Sequence, residues 1–163
     1  MAATGIAEAK TLLRDLRYID PMWCGTAFLP CWRSELDIHI DPDEGGITPR
    51  QLSVLRALLS YPQDIRAEFE RALFDYYQTD VDGSYCEYGP DAKPIPGTGP
   101  PKLTSPSQVW SLIEGPEVYV KSYFRTASAV EFELSFCCEW DPEHGLGVLY
   151  RDWCVVEIGG WDL

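Results

Sequence analysis

Basic side chains are scarce in this sequence: 13 Lys and Arg stand against 26 Asp and Glu, for a formal charge of -13. That balance disfavours contact with nucleic acid phosphates or an anionic membrane surface, and favours a basic partner. The same acidity also keeps a cytosolic protein soluble, and composition does not separate the two roles. No apolar run is long enough to span a bilayer, and residues 1–8 lack the basic and apolar regions of a secretory signal. A cytoplasmic location is expected. Only two histidines are present, and the six cysteines form no paired CxxC knuckles. Reduced thiols are expected, with no metal and no cofactor.

Catalytic signatures are missing too. There is no Walker loop, no G-x-S-x-G elbow, no H-E-x-x-H and no G-x-G-x-x-G after a strand. The Gly-containing stretch 94–101 cannot cradle a phosphate, because Pro94, Pro96, Pro100 and Pro101 have no backbone N–H.

What is present is a large apolar fraction, 45%, of which aromatics make up 13% of the chain, enough for the core of one domain of 163 residues. Ile6, Ala9, Leu12, Leu13 and Leu16 recur at helical spacing and predict a helix over 6–17. Residues 23–32 and the alternating Leu36, Ile38 and Ile40 predict two antiparallel strands. Thr48-Pro49-Arg50-Gln51 has the residues of a capping box with proline at the first helical position, so a helix starts there; Pro62 interrupts it, and a second helix runs to about Gln78. Ser105 to Gln108 repeats the capping pattern and opens a short helix that Gly115-Pro116 ends. Strands follow over 118–124, 130–140, 147–150 and 154–158. The expected fold is a single α+β domain over 1–163, with an antiparallel sheet ending in a C-terminal meander and three to four helices.

On the strand 130–140, Val130, Phe132, Leu134, Phe136, Cys138 and Trp140 share one face. Alternation predicts that Glu131, Glu133, Cys137 and Glu139 face solvent. His39 belongs on the polar side of its strand with Asp37 and Asp41. The segment 79–104 is an irregular Pro- and Gly-rich loop, and long loops in compact domains are often functional. Its first part, with Asp80, Asp82, Tyr85, Glu87 and Tyr88, mixes acids with aromatics.

The run Trp140-Asp141-Pro142-Glu143-His144-Gly145-Leu146-Gly147-Val148, followed by Val155 to Gly159, resembles the W-D-x-E-H-G-x-G-V signature of a family of small bacterial domains of unknown function. The strand order and the T-P-x-Q helix ending in Phe74-Asp75-Tyr76-Tyr77 are similar to that family over residues 23–163. The resemblance implies an α+β fold and a role as a toxin-immunity protein, with no known chemistry. One departure is the last hairpin, where Arg151-Asp152-Trp153 replaces the family's Asp-Gly or Asn-Gly. Since Trp tolerates positive φ poorly, a different turn with Trp153 pointing outward is expected.

Two functional readings follow. The first is an immunity-type inhibitor whose acidic surface binds a basic toxin or effector domain, with Asp80, Asp82, Tyr85, Glu87, Tyr88, Glu131, Glu133 and Glu139 as contact residues. The second is a small enzyme or ligand-binding domain using Asp141, Glu143 and His144, although Pro142 and Gly145 mark that segment as a turn. The cysteines have no basic activator nearby in sequence.

Overall fold

The computed structural model describes residues 2–44, 46–82, 84, 86–126 and 129–160. Its centre is a seven-stranded sheet in sequence order, β1 (Arg14–Ile19), β2 (Met22–Leu29), β3 (Ser34–Ile40), β4 (Ile113–Val120), β5 (Glu131–Cys138), β6 (Leu146–Arg151) and β7 (Cys154–Gly159). All neighbours are antiparallel except β3 and β4, which run parallel. A parallel pair needs a crossover, and here it is the chain between β3 and β4, which holds α2 (Pro49–Ser60), α3 (Arg66–Tyr76) and a 3₁₀ helix (Pro106–Leu112). With α1 (Ala2–Leu12), this is the expected α+β fold.

The helices and one face of the sheet share a core. Ile38, Val118, Leu134 and Val148 occupy adjacent strands in register and are buried together with Leu55, Leu58, Phe69 and Leu73 of α2 and α3. Helix α2 starts where its sequence dictates. Thr48 Oγ1 accepts from Gln51 N, and Gln51 Oε1 accepts from Thr48 N, a reciprocal box. Gln51 is fully buried and its Nε2 also donates to the carbonyls of Asp41 and Lys121, tying the helix start to the ends of β3 and β4. Gln108 accepts from the backbone of Thr104 and Ser105 in the same way at the 3₁₀ helix.

Four expectations need correction. The first helix stops at Leu12, and Arg14–Ile19 is the edge strand β1. Leu13 caps the core while Asp15, at φ 52°, turns the chain out of the helix, so strand pairing overrides the helical spacing. β1 passes so close to β2 that a Cβ on Gly25 would lie 3.0 Å from the Arg14 carbonyl oxygen, a tight crossing that glycine eases. Second, Gly115-Pro116 ends no helix; it sits at an irregularity inside β4, where pairing with β5 shifts between Glu114 and Glu117.

Third, the last hairpin keeps the two-residue geometry that glycine usually supplies. Arg151 pairs with Cys154, and Asp152 and Trp153 both have positive φ, 48° and 70°. Trp153 does not point away; its ring lies flat on Tyr61 with centroids 3.7 Å apart and planes 2° from parallel. Fourth, Glu131 and Glu133 are buried, at 6% and 1% exposure, alongside the predicted core residues Phe132, Leu134 and Phe136. The alternation of β5 is real, but its second face is covered by charge pairs. Arg151 Nε donates to Glu131 at 3.1 Å, the Arg125 backbone N–H also bonds Glu131, and Lys121 lies 3.5 Å from Glu133.

Candidate functional site

Loop 79–104 is built outward from a fixed base. A π-helical turn, Tyr77–Val81, follows α3 and carries Asp80; the Asp82 N–H then bonds the Tyr77 carbonyl at 2.8 Å. Tyr77 is buried, packs edge-on against Trp140 at 5.4 Å, and donates its hydroxyl to the Pro101 carbonyl. The two ends of the loop thus meet at one side chain. Beyond this base the loop bonds to itself: Glu87 N to Thr98 Oγ1 at 3.0 Å, Ile95 N to Glu87 O at 2.8 Å and Gly89 N to Lys93 O at 2.9 Å.

Asp80, Asp82, Glu87 and Tyr88 are all exposed on this platform, and Glu139 is exposed just after β5. The fold brings Glu139 to the loop base, because it lines a small cleft with Tyr77, Pro101 and Trp140. Burial pushes the Tyr77 hydroxyl up to about 12, and the charges of Asp82 and Glu139 add to that. Tyr85 lies outside the described residues. Glu131 and Glu133 are removed from any contact set by their burial and their cationic partners.

Among the described residues, the ion pairs lie away from this end. Arg14, Arg33, Arg56, Arg66, Lys121, Arg125 and Arg151 are engaged in ion pairs elsewhere. Among the described residues, no ion pair involves Asp80, Asp82, Glu87 or Glu139. Lys93 and Lys102 are exposed on the same loop and offset part of this charge.

The turn after β5 is a structural device. Asp141 Oδ1 accepts the His144 backbone N–H at 3.1 Å and meets His144 Nδ1 at 2.9 Å. These bonds, the backbone one first, hold the Asp141 carboxyl below its usual range. Gly145, at φ 68°, then passes so close that a Cβ would stand 2.8 Å from the Phe136 carbonyl oxygen. A short carboxylate cap and an obligatory glycine account for Asp141, His144 and Gly145 as a hairpin connection. Glu143 is exposed beside them.

A second constellation went unread in the sequence. His39 does lie on the polar face of β3, but its Nδ1 stands 3.2 Å from Cys24 Sγ, directly across the β2–β3 ladder. Its Nε2 is 3.3 Å from Glu117 Oε2 of β4, and Tyr119 stacks on its ring at 4.6 Å while donating to the same carboxylate at 3.1 Å. The Cys24–His39 contact was within reach of sequence reasoning, since the hairpin pairing Leu29 with Ser34 also sets Cys24 opposite His39. Glu117 and Tyr119 were not, because they join through the parallel β3–β4 pair. The remaining cysteines fit simpler roles: Cys138 is core, with burial pushing its thiol up to about 11, and Cys137 is exposed, both as alternation predicts.

The family model for a domain of unknown function, DUF6985, matches residues 12–163. No curated protein and no solved structure matches the chain. Among the described residues, no helix is long and apolar enough to cross a membrane.

Proposed function

Because the chain belongs to the DUF6985 family, whose description assigns no activity, we propose a function from its own surface: it is an immunity-type protein that binds and neutralises a basic bacterial toxin or effector domain in the cytoplasm. The observation that carries this reading is the set of exposed carboxylates, Asp82 and Glu139 beside the Tyr77–Trp140 base, Asp80 on the π-helical turn and Glu87 farther out on the loop, without an ion pair among the described residues. A surface with more exposed acids than cations attracts a cationic partner at long range. Tyr88, 61% exposed on the same platform, is suited to be an aromatic anchor once the partner has docked.

The test is co-expression with candidate cationic effector domains, beginning with products of adjacent genes, scored by survival and by recovery of a stoichiometric complex. Rescue that is lost when Asp80, Asp82 and Glu87 are neutralised together supports the reading. Rescue that is indifferent to those substitutions moves the binding surface elsewhere, and failure to rescue from or bind any such domain removes the immunity role.

A further inference from the structure

We propose that Cys24 is a nucleophilic thiol, with His39 as its proton acceptor and Glu117 as the carboxylate that orients the imidazole, and that it undergoes thiol–disulfide exchange with small disulfides carrying a carboxylate. Three elements supply the parts. Cys24 is on β2, His39 is its cross-strand partner on β3, and Glu117 of β4 places a carboxylate oxygen 3.3 Å from the far ring nitrogen, near enough for charge attraction but not aligned as a hydrogen bond. A nucleophile within reach of a base, itself fixed by a third group, is the arrangement that activates a thiol. Tyr119 stacks on the imidazole and donates its hydroxyl to that carboxylate, which fixes the carboxylate beside the ring.

The thiol is accessible. A groove of about 730 Å³ opens over Cys24 and His39, walled by apolar Leu16, Ile19 and Met22 and carrying Arg17. Arg17 pairs in register with Cys24 from the other side and, among the described residues, takes part in no ion pair. It is the cation placed to receive a carboxylate. Asp15 and Asp37 also line the groove, which limits the anionic charge the site tolerates.

Sulfur exchange suits this position better than acyl transfer. Acyl transfer is best served by backbone donors aimed at an oxyanion, whereas Cys24 sits on an interior strand between two ladders that use them. Exchange at a disulfide builds no oxyanion. The proton on Cys24 Sγ passes to His39 Nδ1, and the thiolate attacks one sulfur of R–S–S–R. The S–S bond breaks, RS⁻ leaves and takes the proton from the imidazolium as RSH, and Cys24 ends as the mixed disulfide. Cys24 is oxidised and the small disulfide is reduced, so electrons and protons balance. Burial pushes the Cys24 thiol up, an effect that Arg17 opposes and that Glu117 and Asp37 reinforce. The resting group is therefore the thiol, and the base is needed to release it.

The experiment treats the intact reduced chain with glutathione disulfide, and separately with neutral dithiodipyridine, and locates each adduct over time by peptide mass spectrometry. Exposed Cys137 and Cys154 serve as internal references. Cys24, though less exposed and with its thiol pushed up by burial, is expected to react at least ~10-fold faster than either reference because His39 takes its proton, and His39→Gln to slow it by ~10-fold or more with the reference rates unchanged. Arg17→Gln should slow glutathione disulfide selectively. A wild-type Cys24 no faster than Cys137 and Cys154 overturns the proposal without any variant. So does an unchanged Cys24 rate in His39→Gln, and if that variant fails to fold, Glu117→Gln provides the same comparison.

Discussion

Trp153 and Tyr61 stack face to face, although Trp153 holds a backbone conformation that its side chain disfavours. Left-handed backbone costs a non-glycine residue roughly 1–2 kcal/mol. The stack, together with contact to Phe132 at 5.7 Å, offsets that cost and fastens the β6–β7 hairpin to the segment after α2. An aromatic pair adds about 0.5–1.5 kcal/mol beyond area burial. Tyr61→Ala and Trp153→Gly should therefore each destabilise the chain, the second less than ring loss alone implies because glycine relieves the backbone. In a urea-unfolding double-mutant cycle the two should couple by at least ~0.5 kcal/mol; strict additivity means that the stack contributes nothing.

Glu131 and Arg151 make a second prediction, concerning the covered face of β5. Removing one member of a buried ion pair typically costs about 3–5 kcal/mol, whereas replacing both with apolar groups is often neutral. Arg151 retains 30% side-chain exposure, so the lower end applies. Arg151→Met should be clearly destabilising, and adding Glu131→Met should recover part of the loss. If the double variant is less stable than Arg151→Met, the pair does not govern this face.

The same residues show where sequence reasoning stopped. Alternation correctly predicted the packing of Phe132, Leu134 and Phe136, since period two follows from strand geometry alone. The same alternation puts Glu131 and Glu133 on the opposite face, which is solvent-facing only where nothing covers it. Their burial depends on Arg151 of β6 and on Lys121 and Arg125, which follow β4. The Thr48 and Ser105 boxes were legible because capping is local; β1 was not, because its pairing with β2 outcompetes a helical pattern that Leu13 and Leu16 continue. The acidic loop was read from composition, but the approach of Glu139 to its base required the fold. Cys24 and Glu117, more than ninety positions apart, meet only through the sheet.

Asp64 gives a prediction in pH. Its carboxylate accepts from Arg66 Nε and Nη2 at 3.0 and 2.7 Å and lies 3.3 Å from Arg33, and the Arg66 bonds lower it from 3.8 to about 2. A depressed folded value stabilises the fold above the unfolded value, and that stability is lost as pH falls from about 3.8 toward 2. Arg66→Gln should raise the Asp64 titration seen by carboxyl NMR and flatten the stability change across that window. An unmoved titration means that Arg66 does not hold the group.

The acidic platform makes the last prediction, in the kinetics of association with a basic effector domain. On the proposed reading, Asp80, Asp82, Glu87 and Glu139 act before contact, through a field that solvent ions screen over about 10 Å at 0.1 M salt. On the same reading Tyr88 acts only after contact, by burying its ring. Neutralising Asp80, Asp82 and Glu87 together should lower the association rate by about tenfold at low salt, with dissociation little changed and the difference shrinking as salt rises. Tyr88→Ala should leave association unchanged and speed dissociation, because residence time depends on desolvated contacts that form last. Stopped-flow measurement at several salt concentrations separates the two effects. An association rate that ignores both salt and the triple neutralisation places recognition away from this loop, since no rearrangement of contacts mimics the loss of a long-range field.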